Sequence, residues 1–306
     1  MAPSSLVRPL DGIIPPMITP LDSPDSLDRP GLQRLIEHLI AGGVHGVFIL
    51  GSTGEGPALS YRLRRELIDQ TCALVNGRVP VLVGITDTSY AESCSLAAHA
   101  KTAGANAIVT APPFYFAVSQ NDLFRLIQRL AGEVDLPLFL YNMPSFTKSC
   151  FELETVIRAA ELPNIWGLKD SSGELLYIRS VIEYMHARPD FSVLVGPEEL
   201  LLDSLKLGAC GGVCGGANLF PGLFVSLYQA VREKNMAAAE SLQQKIREIG
   251  ALLYNIGEPE SSYLRGLKLG LELMGICKST LVTPYESANS SRHKQLGEIL
   301  KGLCVM

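Results

Sequence analysis

The chain has 306 residues, 47% of them hydrophobic and 19% charged, which is enough to bury a large core and too apolar for a disordered segment. Its 26 basic and 31 acidic residues leave a net charge of −5, and no basic block offers the electrostatic footprint that nucleic-acid binding needs. No apolar run approaches the roughly 18 residues of a membrane-spanning helix, and the opening MAPSSLVRPLDG lacks the apolar segment of a secretory signal. The expectation is a cytoplasmic protein with no membrane or nucleic-acid partner.

In chain order, one unit recurs: an apolar strand ending in a Gly, polar or Pro cluster, then a segment of helical periodicity. The pattern predicts strands over 12–19, 46–50, 79–85, 107–110, 136–141, 165–169, 192–195 and 212–214. Helices are predicted between them over 30–41, 61–75, 91–103, 121–131, 152–160, 174–187, 198–207 and 220–233. Strand interiors such as VFIL, VPVLVGI and LPLFLY are nearly continuous apolar runs, as parallel strands covered on both faces require. Each link is too long for a hairpin and about right for a crossover helix.

Eight such units predict a (β/α)8 barrel, the TIM barrel. A doubly wound open sheet is the alternative, but neither G-x-G-x-x-G nor G-x-x-x-x-G-K-[ST] occurs. Past residue 234 the pattern is purely helical, over 235–254, 261–274 and 292–303. With no Pro-, Gly- or Ser-rich linker before it, residues 235–306 are expected to form a C-terminal helical appendage packed on a barrel of residues 1–234. Seven cysteines, at 72, 94, 150, 210, 214, 277 and 304, include no C-x-x-C pair, and five dispersed histidines give no zinc-type spacing. They are expected to be packing residues in a reducing compartment, with no metal site.

In a barrel of this kind, chemistry projects from the C-terminal ends of the strands. After VFIL comes Gly51-Ser52-Thr53-Gly54-Glu55-Gly56, whose small residues and hydroxyls suit either a nest for a carboxylate or a tight turn capping the next helix. Lys169 ends an apolar strand, where an amine is costly unless paired or neutral, and a neutral amine is what a Schiff-base nucleophile needs. Alternatively it snorkels out or pairs with Asp170. Tyr141, in YNMP, is a proton shuttle or a rim aromatic. Tyr115, in APPFYF, has the composition of a packing stretch more than of a chemical one. A lysine, a phenol and a hydroxyl-rich nest on one barrel mouth make an imine site. No metal constellation, cofactor loop or G-x-S-x-G turn accompanies them.

GSTGEG, APPFYF, YNMPS and GLKDSSG, in that order and spacing, resemble the dihydrodipicolinate synthase/N-acetylneuraminate lyase family of class I, pyruvate-type aldolases. The likeness runs from about Asp11 to the C-terminal helices. It implies a (β/α)8 barrel assembled as a homotetramer, a dimer of tight dimers, with no metal or organic cofactor. It implies that Lys169 is the Schiff-base lysine and Tyr141 the proton shuttle. Ser52 stands where the family's G-T-T-G-E motif has its first threonine, in a hydroxyl relay, and Thr53 at the second, holding the keto-acid carboxylate. Tyr115 matches a tyrosine that enters the neighbouring subunit's site. Gly196 and Val213 fall where backbone groups line the pocket.

Departures from the family pattern narrow the substrate. Dihydrodipicolinate synthases continue Y-N-x-P-S-R-T-G, and the arginine grips the second substrate's carboxylate. This chain has Phe146 there and Lys148 at the final glycine, and a phenyl ring cannot make a bidentate carboxylate pair. Lys148 is a possible charge from another angle. Ser171 stands where members acting on sugar acids and hydroxy-keto acids carry a hydroxyl. Glu198 and Glu199 resemble an acidic pair of sugar-acid lyases, although solvated glutamates at a helix start are the first expectation. The GGVCGGAN run also resembles 4-hydroxy-2-oxoglutarate aldolases, or else is strand-eight packing. The resulting expectation is a lyase or dehydratase of a hydroxylated 2-oxo acid, releasing pyruvate in the lyase direction. Dihydrodipicolinate synthase is the alternative, and a non-catalytic keto-acid sensor is a further reading from outside the enzymes.

Overall fold

Strands form on the apolar runs, and helices begin where a serine can satisfy their first amides. The computed structural model of the protein describes residues 6–255, 259–286 and 290–302. It begins with β1 (Gly12–Ile13), a hairpin of β2 (Leu21–Ser23) and β3 (Ser26–Leu27), and α1 (Arg29–Ala41). Then come β4 (Val47–Ile49), α2 (Tyr61–Val75), β5 (Val81–Gly84), α3 (Tyr90–Ala103), β6 (Ala107–Thr110) and α4 (Gln120–Glu133). These are followed by β7 (Leu138–Asn142), α5 (Pro144–Thr147), α6 (Leu153–Ala160), β8 (Ile165–Asp170), α7 (Leu175–Met185), β9 (Ser192–Val195) and α8 (Leu201–Leu207). Last are β10 (Gly211–Gly212), α9 (Pro221–Arg232), α10 (Met236–Leu253), α11 (Pro259–Leu273) and α12 (Ser290–Gly302). Ser60, Ser89 and Ser119 cap α2, α3 and α4 by accepting from the amides of Leu63, Glu92 and Asp122.

The eight long-range strands are all parallel, in the order β1-β10-β9-β8-β7-β6-β5-β4. A parallel bridge between Pro16 and Phe48 joins the two ends of the sheet. There Met17 N donates to Phe48 O at 2.8 Å and Phe48 N to Pro15 O at 3.0 Å. Together with the covering helices this is the architecture of a TIM barrel.

The predicted helices agree within two residues at each end except α8, which starts three residues later than expected, behind a 3-10 turn over Glu198–Leu200. The first strand is corrected. Of the expected residues 12–19 only two join a ladder, because Pro15 and Pro16 have no N–H to give. The eighth starts one residue earlier and ends two residues earlier than expected, at Gly211–Gly212. The β2–β3 hairpin and α5 were not anticipated, since both are short and polar enough to pass for linking loops. Residue 303, the expected end of the last helix, lies outside the described residues, as does Cys304. Among the described residues six cysteines are free, Cys214 and Cys277 buried and the others half-buried. No helix among those residues is long and apolar enough to cross a membrane.

Alternation along the strands makes two apolar layers. The inner one, filling the barrel, holds Ile14, Phe48, Leu82, Val109, Phe139, Tyr141, Leu194 and Val213. The outer one sets Val47, Ile49, Val83, Leu140, Leu168 and Val195 against the helices, and it includes Ile246 and Leu253 of α10, Leu267 and Leu271 of α11, and Leu296 of α12.

One irregularity decides where the site points. Leu138 pairs with Ile165, but Phe139 pairs with Gly167, so Trp166 is an extra residue in β8. Beyond this bulge Gly167 and Lys169 face the barrel interior while Leu168 packs outward. The same register sets Tyr141 beside Lys169 and Asn142 beside Asp170. Were Trp166 paired regularly in the ladder, the two-residue period from outward-facing Ile165 would turn Lys169 to the helix side.

Gly167 holds this register because nothing larger fits. A Cβ there would lie 2.5 Å from the Ser192 carbonyl oxygen and 2.8 Å from the Phe139 ring. Gly167→Ala is therefore expected to lower the unfolding free energy by about 1–3 kcal/mol, the usual cost of overpacking a core. Urea denaturation measures this, and an unchanged midpoint would show that the strand relaxes freely.

Candidate active site

Lys169 is 6% exposed, near the end of β8. Its Nζ lies 4.1 Å from the centre of the Tyr141 ring and 5.2 Å from that of Phe48. Among the described residues it has neither an ion-pair nor a hydrogen-bond partner. Asp170 is not that partner, since it occupies the opposite face of the strand. There it accepts from Asn142 Nδ2 at 2.7 Å and from the Ser172 hydroxyl at 2.8 Å. Burial pushes the Asp170 carboxyl above its usual range, against the pull of those bonds and the nearby lysine. The lysine neither snorkels nor pairs; it faces a cavity.

The Tyr141 hydroxyl lies 3.3 Å from Ser52 Oγ, and Thr53 Oγ1 lies 3.3 Å from the hydroxyl of Tyr263 on α11. The loop carrying Ser52 and Thr53 folds on itself, Glu55 N donating to Ser52 O and Gly56 N to Gly51 O, while the Thr19 hydroxyl holds Gly54 O at 2.6 Å. The amides of Ser52, Thr53 and Gly54 donate to no described residue. Neither hydroxyl caps a helix, because α2 is capped by Ser60 and the intervening 3-10 turn Gly56–Ala58 has no side-chain cap. Three successive N–H groups without a protein partner are what an anion nest requires, and of these residues Ser52 and Thr53 line the cavity described next.

These groups meet in a cavity of about 540 Å³ lined by Ser52, Thr53, Tyr141, Lys169, Ser171, Gly196 and Val213. The Ser171 hydroxyl occupies the space of a Gly196 side chain, its Oγ only 2.0 Å from where that Cβ would be, so any larger residue at 196 would displace that hydroxyl. The amides of Gly196 and Val213 are not open to a ligand, since they donate to Asp170 O and Val195 O, each at 2.7 Å. A more apolar cavity of about 290 Å³ adjoins, sharing Ser52, Tyr141, Phe146 and Tyr285.

Several expectations change. Glu198 is not a solvated helix-start residue. It lines the cavity, half-buried, accepting from the Gly216 amide and from the Tyr254 hydroxyl at 3.0 Å. Burial pushes its carboxyl up to about 7, although those two donors pull the other way. Glu199 does remain exposed at the rim. Lys148 is exposed and lines neither cavity, so it brings no charge from another angle; Lys169 is the one cation among the described lining residues. Phe146 sits at the rim, 62% exposed. Tyr115 is 74% exposed with φ +83°, edge-on to Phe116 and apart from both cavities. Within one chain it does not join Ser52 and Tyr141.

Tyr254 and Tyr263 line the cavity too, and the sequence reading missed them. A signal was present. A Cβ at Gly215 would stand 1.6 Å from the Tyr263 hydroxyl, and one at Gly216 would stand 2.8 Å from that of Tyr254. The glycine run after the eighth strand thus makes room for approaching side chains. No group of three or more His, Cys, Asp or Glu side chains converges as metal ligands would among the described residues.

A TIM barrel whose mouth holds a lysine, a phenol, hydroxyls and an anion nest defines an enzyme of the lyase and aldolase class. The chain belongs to the dihydrodipicolinate synthetase family, whose model matches residues 9–303. It is 34% identical over 292 residues to the Escherichia coli K12 protein named "Probable 2-dehydro-3-deoxy-D-pentonate aldolase YjhH", covering 94% of this chain and 96% of that one. It is 32% identical to the 4-hydroxy-tetrahydrodipicolinate synthase of Methanoculleus marisnigri, covering 95% and 98% of the two chains. The solved dihydrodipicolinate synthase of Bacteroides thetaiotaomicron matches with a TM-score of 0.94 and 50% identity, over 97% of this chain and 99% of that one. YagE, an Escherichia coli K12 prophage protein of the dihydrodipicolinic acid synthase family solved in complex with pyruvate, matches with a TM-score of 0.91 and 32% identity, over 97% and 100%.

The raised Glu198 carboxyl has a consequence for stability. The folded protein keeps this proton up to about pH 7, whereas an unfolded glutamate loses it near 4.5. The contribution is therefore fully present below about pH 4.5 and is lost as pH rises through 7. Unfolding free energy should fall less steeply between about pH 5 and about pH 7.5 in Glu198→Gln than in the wild type. Parallel curves would show that Glu198 titrates as an ordinary carboxyl.

Proposed function

We propose that the protein is a Schiff-base lyase or dehydratase acting on a hydroxylated 2-oxo acid and yielding pyruvate when it cleaves a carbon–carbon bond. One observation carries this reading: an unpartnered lysine amine beside Tyr141 and Ser52, in a cavity whose other described lining residues bring hydroxyls and the carboxyls of Glu198 and, at the rim, Glu199, but no second cation. Lys169 adds to the C2 ketone and water leaves, giving an iminium that draws electrons from the neighbouring carbons. In the aldol direction the C3–C4 bond breaks, its electrons forming an enamine on C3. The proton of the C4 hydroxyl passes to Tyr141 and on through Ser52. Protonation of the enamine and hydrolysis of the imine return pyruvate and the free amine. Thr53 and the open amides of the GSTGEG loop take the keto-acid carboxylate. In the homotetramer this reading expects, Tyr115 serves a neighbouring site. Residues 1–234 form the barrel unit and 235–306 the helices packed on it.

Dihydrodipicolinate synthase is the second reading, favoured by the 50% identity to the Bacteroides thetaiotaomicron enzyme. It conflicts with Phe146 at the position where that chemistry uses an arginine.

Borohydride reduction in the presence of pyruvate, followed by peptide mass spectrometry, should place the adduct on Lys169. Labelling of another lysine, or of none at saturating pyruvate, removes the imine from the mechanism.

The two substrates separate by charge. Aspartate semialdehyde must desolvate a carboxylate with no guanidinium to receive it, and a missing charge-assisted contact costs about 1.5–3 kcal/mol. That is roughly 10–150-fold in kcat/KM. Condensation of pyruvate with aspartate semialdehyde should be weak in the native enzyme, and Phe146→Arg should improve it relative to retro-aldol cleavage. Native condensation as efficient as its best aldol cleavage would promote the second reading.

A further inference from the structure

No step above uses the ion pair between Glu55 and Lys268, yet its side chains are among the most deeply buried charges in the molecule, at 1% and 0% exposed. Glu55 closes the GSTGEG loop in the left-handed region, φ +56°, which a residue other than glycine holds only when its surroundings enforce it. Its second carboxylate oxygen accepts from the Val282 amide at 2.9 Å, and Lys268 Nζ also donates to Thr280 O at 2.6 Å. On the same helix α11, Tyr263 meets Thr53. The loop is therefore tied to α11 and the segment after it at two points, Thr53 and Glu55, on either side of Gly54. The amides left open, those of Ser52, Thr53 and Gly54, are the ones held by these ties.

Stability alone is a poor reason for such a pair. Replacing a buried ion pair with apolar side chains is often neutral or stabilising. A charge pair does supply direction: it fixes one backbone conformation where apolar packing would tolerate several.

We propose that Glu55 and Lys268 are positioning residues whose ion pair holds the Gly51–Gly54 backbone so that its open amides receive the carboxylate of the 2-oxo acid. This rests on the lyase reading above for the identity of that carboxylate.

Equilibrium dialysis with isotopically labelled pyruvate reads binding whether or not an imine forms, and borohydride trapping reads the imine separately. Glu55→Gln is expected to raise the Kd for pyruvate at least about tenfold. Trapping of Lys169 at saturating pyruvate should stay within a factor of about three. The same substitution strands the Lys268 charge and lowers Tm. The double variant Glu55→Gln/Lys268→Met removes that stranded charge and should regain much of the Tm while keeping the raised Kd. Leu39→Ala, a core truncation on α1, should lower Tm and leave Kd alone. A wild-type Kd in Glu55→Gln, or a Kd that recovers in step with Tm in the double variant, overturns the proposal, as does failure of the wild type to bind pyruvate. Wild-type binding without trapping overturns the imine mechanism and leaves the positioning role standing.

Discussion

Carrying a lysine amine into an apolar barrel mouth costs several kcal/mol unless a counter-charge or a shell of donors and acceptors replaces the lost water. In this molecule the carboxylate adjacent in sequence, Asp170, is turned away and tied to Asn142 and Ser172. What faces the amine instead is the ring of Tyr141 and the ring of Phe48. Cation–π contacts contribute about 0.5–2 kcal/mol each, less than a complete desolvation costs, so the open cavity must supply the remainder. A fold selected for stability alone would place an aliphatic residue there. The inner layer of Phe48, Leu82, Val109, Phe139, Leu194 and Val213 shows what such a layer looks like one step deeper.

The chamber above that amine is electrically sparse. One cation and one well-defined inner carboxyl, Glu198, stand among hydroxyls of Ser52, Thr53, Ser171, Tyr141, Tyr254 and Tyr263. Burial pushes the hydroxyls of Tyr254 and Tyr263 far above the usual phenol range. They therefore keep their protons, Tyr254 donating to Glu198 and Tyr263 standing against the Thr53 hydroxyl. Hydroxyls in this number offer a polyhydroxylated tail many partners and a second carboxylate few.

The barrel was legible in the sequence because its signals are local: apolar runs of strand length, serine caps and glycine or proline turns. Ser52, Tyr141 and Lys169 were legible because each follows such a run directly. The mutual placement of Tyr141 and Lys169 was not, since it depends on Trp166 being squeezed out of the ladder, and a bulge is a property of two strands together. Glu198 was misjudged for a related reason. Its partners, Gly216 and Tyr254, lie 18 and 56 residues away, so a glutamate at a helix start gave no local hint of burial. Pro15 and Pro16 shortened the first strand in a way their chemistry announces, and the apolar periodicity around them hid it. Tyr115 is a different case, a residue singled out by its motif for a neighbouring subunit's site, which one chain leaves on the surface.

The anchoring of the GSTGEG loop has a meaning for the order in which the molecule is made. Glu55 receives its hydrogen bond from Val282, 227 residues further along the chain. At the usual 5–20 residues per second of protein synthesis, roughly 10–45 s pass between the two leaving the ribosome. For most of that interval, until Tyr263 and Lys268 have been made, the emerging barrel carries a glutamate with no counter-ion in a loop with no clamp. The strands can pair and the lysine can be in place, but the loop wall of the pocket is unfinished. The clamp on this loop is thus among the last features of the fold to be completed, closed only when the segment around Val282 has been made.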